Sequence, residues 1–152
     1  MKKLEKPAVE GGKPIRDKPI MALPQITDEE INEIINVLKS GRLTMSVGNK
    51  VREFEEEFRR YLNIKNAIAV SNGTTALHLA LRSTGIGPGD EVITTPFTFI
   101  ATASTIIHQN AIPIFADINV EDYNIDPNSI EERLSGKTKA ILVVHLCGQP
   151  AE

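Results

Sequence analysis

Tryptophan is absent from this 152-residue chain, and the aromatic complement is two tyrosines and five phenylalanines. A core built from such a chain is aliphatic. The single cysteine, Cys147, excludes an internal disulfide framework and suits a reducing compartment. No apolar run is long enough to cross a bilayer. The N-terminus is basic over Lys2, Lys3 and Lys6, but no apolar signal core follows it. Neither sign of charge dominates: 17 Lys and Arg face 20 Asp and Glu, for a net charge of -3. That balance argues against a nucleic-acid footprint or an anionic membrane surface. No spacing of His, Cys and carboxylates suggests a metal site, and no serine elbow with the right glycines suggests hydrolase chemistry. The chain is expected to be a cytoplasmic protein, long enough for one domain with a core of its own.

Residues 1–24 hold four prolines (Pro7, Pro14, Pro19, Pro24) and the pair Gly11 and Gly12, and read as an extended arm that takes its order from another surface. Thr27 and Glu30 form a capping-box pattern, and Ile31, Ile34, Ile35 and Leu38 follow at helical spacing until Gly41 stops the helix. A polar loop over 41–46 leads to a second helix with Val51, Phe54, Phe58 and Leu62 on one face. Its other face, with Arg52, Glu53, Glu55, Glu56, Arg59 and Arg60, reads as solvated.

From residue 67 the pattern alternates. Strands are expected over 67–70, 91–94, 112–116 and 140–145, with helices over 74–83 and 98–109 and a short one capped by Asp126 and Pro127. The last strand is continuously apolar, as in a strand covered on both faces. Repeated strand–helix units imply an α/β fold with a mostly parallel sheet flanked by helices. Ligands in such folds sit at the carboxyl ends of the strands.

Two segments lie there. Ser71, Asn72, Gly73, Thr74 and Thr75 follow a strand and open a helix, so unpaired backbone N–H groups and two hydroxyls form a candidate phosphate cup. Ser, Asn and Thr are also ordinary capping residues, which is the plainer alternative. Thr95 to Phe99 is the second segment, where Phe97 or Phe99 either stacks on a planar ring or packs in the core. A phosphate cup beside a stacking aromatic outlines a site for a phosphorylated aromatic cofactor. The single glycine of the cup does not make a dinucleotide fingerprint. His78 and His108 read as packed or surface histidines, and His145 either reaches the site or makes a structural hydrogen bond.

The ordered set of motifs resembles the DegT/StrS-type family of pyridoxal-phosphate-dependent sugar aminotransferases. The matching stretches are LPQITDEE at 23–30, LKSGRLT at 38–44, AVSNGTTAL at 69–77, GPGDEVI at 87–93, TPFTF at 95–99, FADI at 115–118 and VHLCGQPA at 144–151. The resemblance implies fold type I of the pyridoxal-phosphate-dependent transferases, with residues 25–152 forming the N-terminal part of the large domain behind the 1–24 arm. It implies pyridoxal 5′-phosphate as cofactor, with Gly73, Thr74 and Thr75 at its phosphate and Phe99 on its ring. Arg42, Leu43 and Thr44 match a loop near the substrate. A nucleotide-linked keto-sugar and an amino-acid donor such as glutamate are the implied substrates, in polysaccharide biosynthesis, by a homodimer at full length.

Aminotransfer needs a lysine amine to hold the aldehyde and move protons, and a carboxylate at the pyridine nitrogen. The resemblance puts the Schiff-base lysine and that aspartate downstream of residue 152, so no residue of this chain is assigned as catalytic. Lys137 and Lys139 read as solvated charges, and Asp117 as a turn residue or structural acceptor. The expectation is a truncated large domain, inactive alone. A non-catalytic binding or regulatory protein, and a sugar dehydratase of the same fold with histidine for lysine, remain as alternatives.

Overall fold

The structure, a computed structural model, describes residues 6–18 and 24–152. Pro19 of the expected arm and Leu23 of the first matching stretch lie outside the described residues. The chain divides into two compact units, Met1–Phe54 and Glu55–Glu152.

In the first unit, the described part of the arm contains a 3₁₀ turn at Ala8–Glu10. Helix α1 spans Asp28–Ser40. The expected capping box closes it: Glu30 N–H donates to Thr27 Oγ1 at 3.3 Å, and Thr27 N–H donates to Glu30 Oε2 at 2.7 Å. The Thr27 N–H, and then the Thr27 hydroxyl at 3.1 Å, donate to the Glu30 carboxylate and hold it below its ordinary value, because they favour the charged form. Gly41 ends α1 in the left-handed conformation at φ 66°, with its N–H on the Leu38 carbonyl. The following loop folds back on Thr44, whose carbonyl accepts from Val47 and Gly48. A Cβ on Gly48 would lie 2.8 Å from the Arg42 carbonyl, so only glycine fits there.

Helix α2 spans Lys50–Leu62, and the division between the units falls within it. Its charged face is more than solvated. Glu56 pairs with Arg59 and Arg60, each at 2.7 Å, and Glu55 accepts the backbone N–H of Ala69 at 2.8 Å.

The second unit carries α3 (Gly73–Ser83), β1 (Glu91–Thr94), α4 (Ala101–Ile107), β2 (Ile112–Phe115), α5 (Pro127–Arg133) and β3 (Thr138–Leu142). The sheet is parallel, in the order β2-β1-β3. Central β1 is buried on both faces, because its alternating side chains feed two aliphatic clusters. Val92 joins Leu81, Ile86, Ile106 and Ala111 on one side, and Ile93 joins Ala116 and Ile125 on the other. Neither cluster contains an aromatic ring, as the composition predicts.

Three expected elements differ. The segment 67–70 makes no ladder, because no neighbouring strand lies beside it among the described residues; the Glu55 carboxylate takes the Ala69 N–H instead. The helix expected over 98–109 is regular only from Ala101 to Ile107. Its entry is a tight turn, with Thr102 N–H on the Phe99 carbonyl and Ala103 N–H on that of Ile100. Finally, β3 runs over Thr138–Leu142 where a strand over 140–145 was expected, and it alternates in burial where continuous cover was expected. It occupies a sheet edge, and its covered face is the one that carries Ala140 and Leu142.

Candidate functional site

Strand order reverses at β1: β2 lies on one side of it, and the chain then crosses to place β3 on the other. Such a switch point leaves a crevice beyond the carboxyl ends of the two strands, where neighbouring crossovers diverge. A cleft of about 840 Å³ opens there. One wall is the start of α3 (Gly73, Thr74, Ala76, Leu77, Ala80), a second is the segment after β1 (Thr98, Phe99, Ala101, Thr102), and the third is Val144 to Cys147 beyond β3.

The first wall is a helix N-terminus with free donors. Asn72 is extended, and its Oδ1 accepts Thr75 N–H at 2.9 Å and Thr75 Oγ1 at 3.1 Å. Ser71 Oγ lies 3.2 Å from the same Thr75 hydroxyl. The capping alternative therefore describes Asn72 and Thr75. It leaves the N–H groups of Gly73 and Thr74 with no partner in α3, as the helical ladder requires of its first turn. The partial positive charge of an 11-residue helix adds to them. Gly73 has neither a left-handed backbone nor any protein atom within 4 Å of a Cβ built on it. Nothing in the fold demands glycine there, whereas an anion approaching the backbone would.

The second wall is apolar with a pair of hydroxyls. Phe99 is 73% exposed and Phe97 51% exposed, so neither is a core residue. Phe97 stands edge-on to Tyr123, with ring centroids 6.1 Å apart, while Phe99 lines the cleft. Thr98 and Thr102 bond to each other through their hydroxyls at 2.8 Å.

The third wall is a turn that sequence reasoning identified only through its histidine. His145 makes a structural hydrogen bond, its Nδ1 accepting Ala151 N–H at 3.0 Å, and it also lines the cleft. Cys147 adopts φ 51°, unusual for a residue with a side chain. The switch-point rule reaches this wall through β3, as it reaches the second through β1.

Of the expected cofactor residues, the cleft brings together Gly73, Thr74 and Phe99. Thr75 is not in its lining, and its amide and hydroxyl are engaged by Asn72. Arg42, Leu43 and Thr44 belong to the first unit, where Arg42 lines a separate cavity of about 200 Å³ with Asn36 and Lys50. Among the described residues, no acidic or basic side chain other than His145 lines the main cleft. Lys137 and Lys139 are exposed elsewhere, and the Asp117 carboxylate accepts the N–H of Ile118 at 2.8 Å as a turn residue. Among the described residues no cluster could hold a metal ion.

The residues present fit a phosphorylated ring compound: free backbone donors for an anion at one wall, and an exposed aromatic for a flat ring at the next. Fold and site together define an α/β cofactor-binding unit of the kind found in pyridoxal-phosphate-dependent aminotransferases. The chain belongs to the DegT/DnrJ/EryC1/StrS aminotransferase family, whose profile matches residues 24–152.

Over 131 residues it is 50% identical to the spore coat polysaccharide biosynthesis protein SpsC of Bacillus subtilis, covering 86% of this chain and 33% of that protein. It is 41% identical over 129 residues to the GDP-perosamine synthase of Caulobacter vibrioides, covering 85% and 34%. The solved Spr1654 of Streptococcus pneumoniae, in its PLP form, superposes with a TM-score of 0.80 at 36% identity, covering 85% of this chain and 32% of that one; a PMP form is also solved. The chain thus spans about a third of the length of the relatives it matches.

Proposed function

We propose that this chain forms the phosphate- and ring-holding part of an aminotransferase that moves an amino group from an amino acid such as glutamate to a nucleotide-linked keto-sugar. Pyridoxal 5′-phosphate is its cofactor. The observation that carries this function is the meeting of unpaired helix N–H groups and an exposed phenylalanine in one switch-point cleft. The names of two relatives, one a GDP-sugar synthase and one a polysaccharide biosynthesis protein, support the substrate class and the cellular role.

Each residue then has a task. The N–H groups of Gly73 and Thr74 hold the phosphate at the positive end of α3, with the Thr75 position completing the cup through its bonds to Asn72. Phe99 covers one face of the pyridine ring and keeps water from it. Bound there, the cofactor supplies the electron sink for breaking bonds at an amino-bearing carbon. Arg42, Leu43 and Thr44 are assigned to the substrate-facing loop on the resemblance alone. The proton-moving amine and the carboxylate at the pyridine nitrogen are assigned, on the resemblance alone, to sequence beyond these residues. This chain alone is then inactive, and the full-length enzyme a cytoplasmic homodimer. Among the described residues no helix is long and apolar enough to cross a membrane.

The test is a titration of the 152-residue chain with pyridoxal 5′-phosphate and, separately, with pyridoxal. The phosphorylated compound should bind at least tenfold more tightly, the worth of about 1.4 kcal/mol or more of phosphate contact. Borohydride treatment followed by peptide mass mapping should leave no stoichiometric adduct at a specific lysine. Equal affinity for the two compounds would remove the phosphate cup, and a stoichiometric lysine adduct would overturn the placement of the amine.

A further inference from the structure

Asn124 does not line the cleft, yet its side chain bonds the turn that carries the third wall at Leu146, Gln149 and Pro150. Its side chain is buried, at 2% exposure. Its Oδ1 accepts Leu146 N–H at 3.0 Å, and its Nδ2 donates to the carbonyls of Gln149 at 3.3 Å and Pro150 at 3.4 Å. The amide orientation follows from these partners, because an N–H must face the oxygen and carbonyls must face the nitrogen. Asp122 fixes it further, accepting Asn124 N–H and Nδ2, each at 3.1 Å.

The turn that Asn124 grips has a left-handed residue that carries a side chain. Cys147 at φ 51° and Gly148 at φ 86° are consecutive left-handed residues. Glycine takes that conformation at no steric cost, but a residue with a Cβ takes it against a penalty of about 1 kcal/mol or more. The turn's own bonds are a Gly148 N–H on the His145 carbonyl at 3.3 Å and a Gln149 N–H on the Leu146 carbonyl at 2.9 Å. Its exit is tied by Ala151 N–H on His145 Nδ1.

We infer that Asn124 is a positioning residue of the site: by holding the segment 146–150 in its left-handed turn, it sets the wall on which His145 and Cys147 face the bound molecule. The role deepens the cofactor function proposed above and rests on it. The same loop also touches the segment that leads into the second wall, because Tyr123, the preceding residue and itself left-handed at φ 62°, meets Phe97 edge-on.

Cys147 is the only cysteine, so its rate of labelling by a disulfide reagent such as dithiobis(nitrobenzoate) reports on this wall alone. In the intact chain, pyridoxal 5′-phosphate should slow that labelling, and inorganic phosphate should not. In N124A, the amides of Leu146, Gln149 and Ala151 should exchange hydrogen about tenfold faster or more, as expected for buried bonds lost, and those of α3 should be unchanged. Affinity for pyridoxal 5′-phosphate should fall about tenfold while that for inorganic phosphate holds. N124D keeps the acceptor for Leu146 but loses the donors to Gln149, Pro150 and the Asp122 carboxylate, so it should free the far side of the turn and leave Leu146 protected; it decides the matter should N124A not fold.

The control is N119A, in the same loop, where Asn119 Oδ1 accepts only the local Glu121 N–H at 2.8 Å. Unchanged exchange and labelling in N124A and N124D would overturn the role, as would the same loosening in N119A. Should pyridoxal phosphate leave wild-type Cys147 labelling untouched, the cofactor proposal falls by itself. Asn124's hold on the turn is then upheld or refuted by the exchange rates.

Discussion

Replacing Gly73 by alanine should separate folding from binding. The backbone at Gly73 is not left-handed, and a Cβ built there meets no atom within 4 Å. Gly73 is also the first residue of α3. A glycine-to-alanine change at a compatible position removes freedom from the unfolded chain and stabilises by about 0.4–1 kcal/mol. For a chain of this size that is a rise in Tm of about 1–4 °C. The same methyl takes up space at the wall where phosphate is proposed to meet the Gly73 and Thr74 N–H groups. Loss of one charge-assisted hydrogen bond costs about 1.5–3 kcal/mol, so affinity for pyridoxal 5′-phosphate should fall about 10- to 150-fold.

The assay is a thermal melt by circular dichroism beside a titration by absorbance or calorimetry, with pyridoxal as the unphosphorylated control. Pyridoxal affinity should change far less than that of its phosphate. A lower Tm in G73A would mean that the fold itself requires glycine there. An unchanged affinity for the phosphorylated compound would mean that no phosphate sits at the start of α3. Either result refutes the reasoning, and they refute different parts of it.

Other consequences are as direct. Phe99→Ala should weaken pyridoxal 5′-phosphate by about 1 kcal/mol or somewhat more while sparing inorganic phosphate and Tm, because the ring is largely exposed; equilibrium titration separates these effects. Ile106→Ala, at a site with 0% exposure between α4 and the sheet, should cost about 2–5 kcal/mol by urea unfolding. Thr27→Ala removes one limb of the capping box and should cost about 1 kcal/mol, read as lost helicity or earlier unfolding. The Glu56 carboxyl is held down to about 2, from an ordinary 4.5, first by its hydrogen bond to Arg59 and then by Arg60, against desolvation. A carboxyl depressed by folding stabilises fully above its ordinary value and loses that contribution as pH falls toward its folded one. The Tm difference between wild type and Glu56→Gln should therefore shrink as pH drops from about 5 toward 2.

The parts of the fold legible in the sequence are those set by bonds spanning three or four residues. The Thr27–Glu30 box, the Gly41 stop, the Asp126 cap before Pro127 and the limits of β1 are each decided inside a short window. The segment 67–70 has strand composition, but a strand exists only where another strand pairs with it, and among the described residues none does. Likewise, the apolar run after residue 139 fixes a strand and not its cover. Whether one or both faces are buried depends on sheet order, which puts β3 at an edge.

The site divides along the same line. Phe99 lies within a few residues of the end of β1, so the rule that ligands sit at carboxyl ends of parallel strands reaches it from sequence, whereas Gly73 and Thr74 are reached through the strand composition of 67–70, where no ladder forms. Asn124 is legible to no such rule. It sits in a polar loop among Asn119, Asp122 and Asp126, where every Asx residue has an ordinary turn role, and its acceptors and donors are 22 to 26 residues away. What marks it is burial joined to four side-chain partners, while Asn119 in the same loop stays exposed with a local bond. A buried amide whose bonding groups are spent on Asp122 and on a strained turn is costly to leave unsatisfied, so this loop and the third wall hold their shape together.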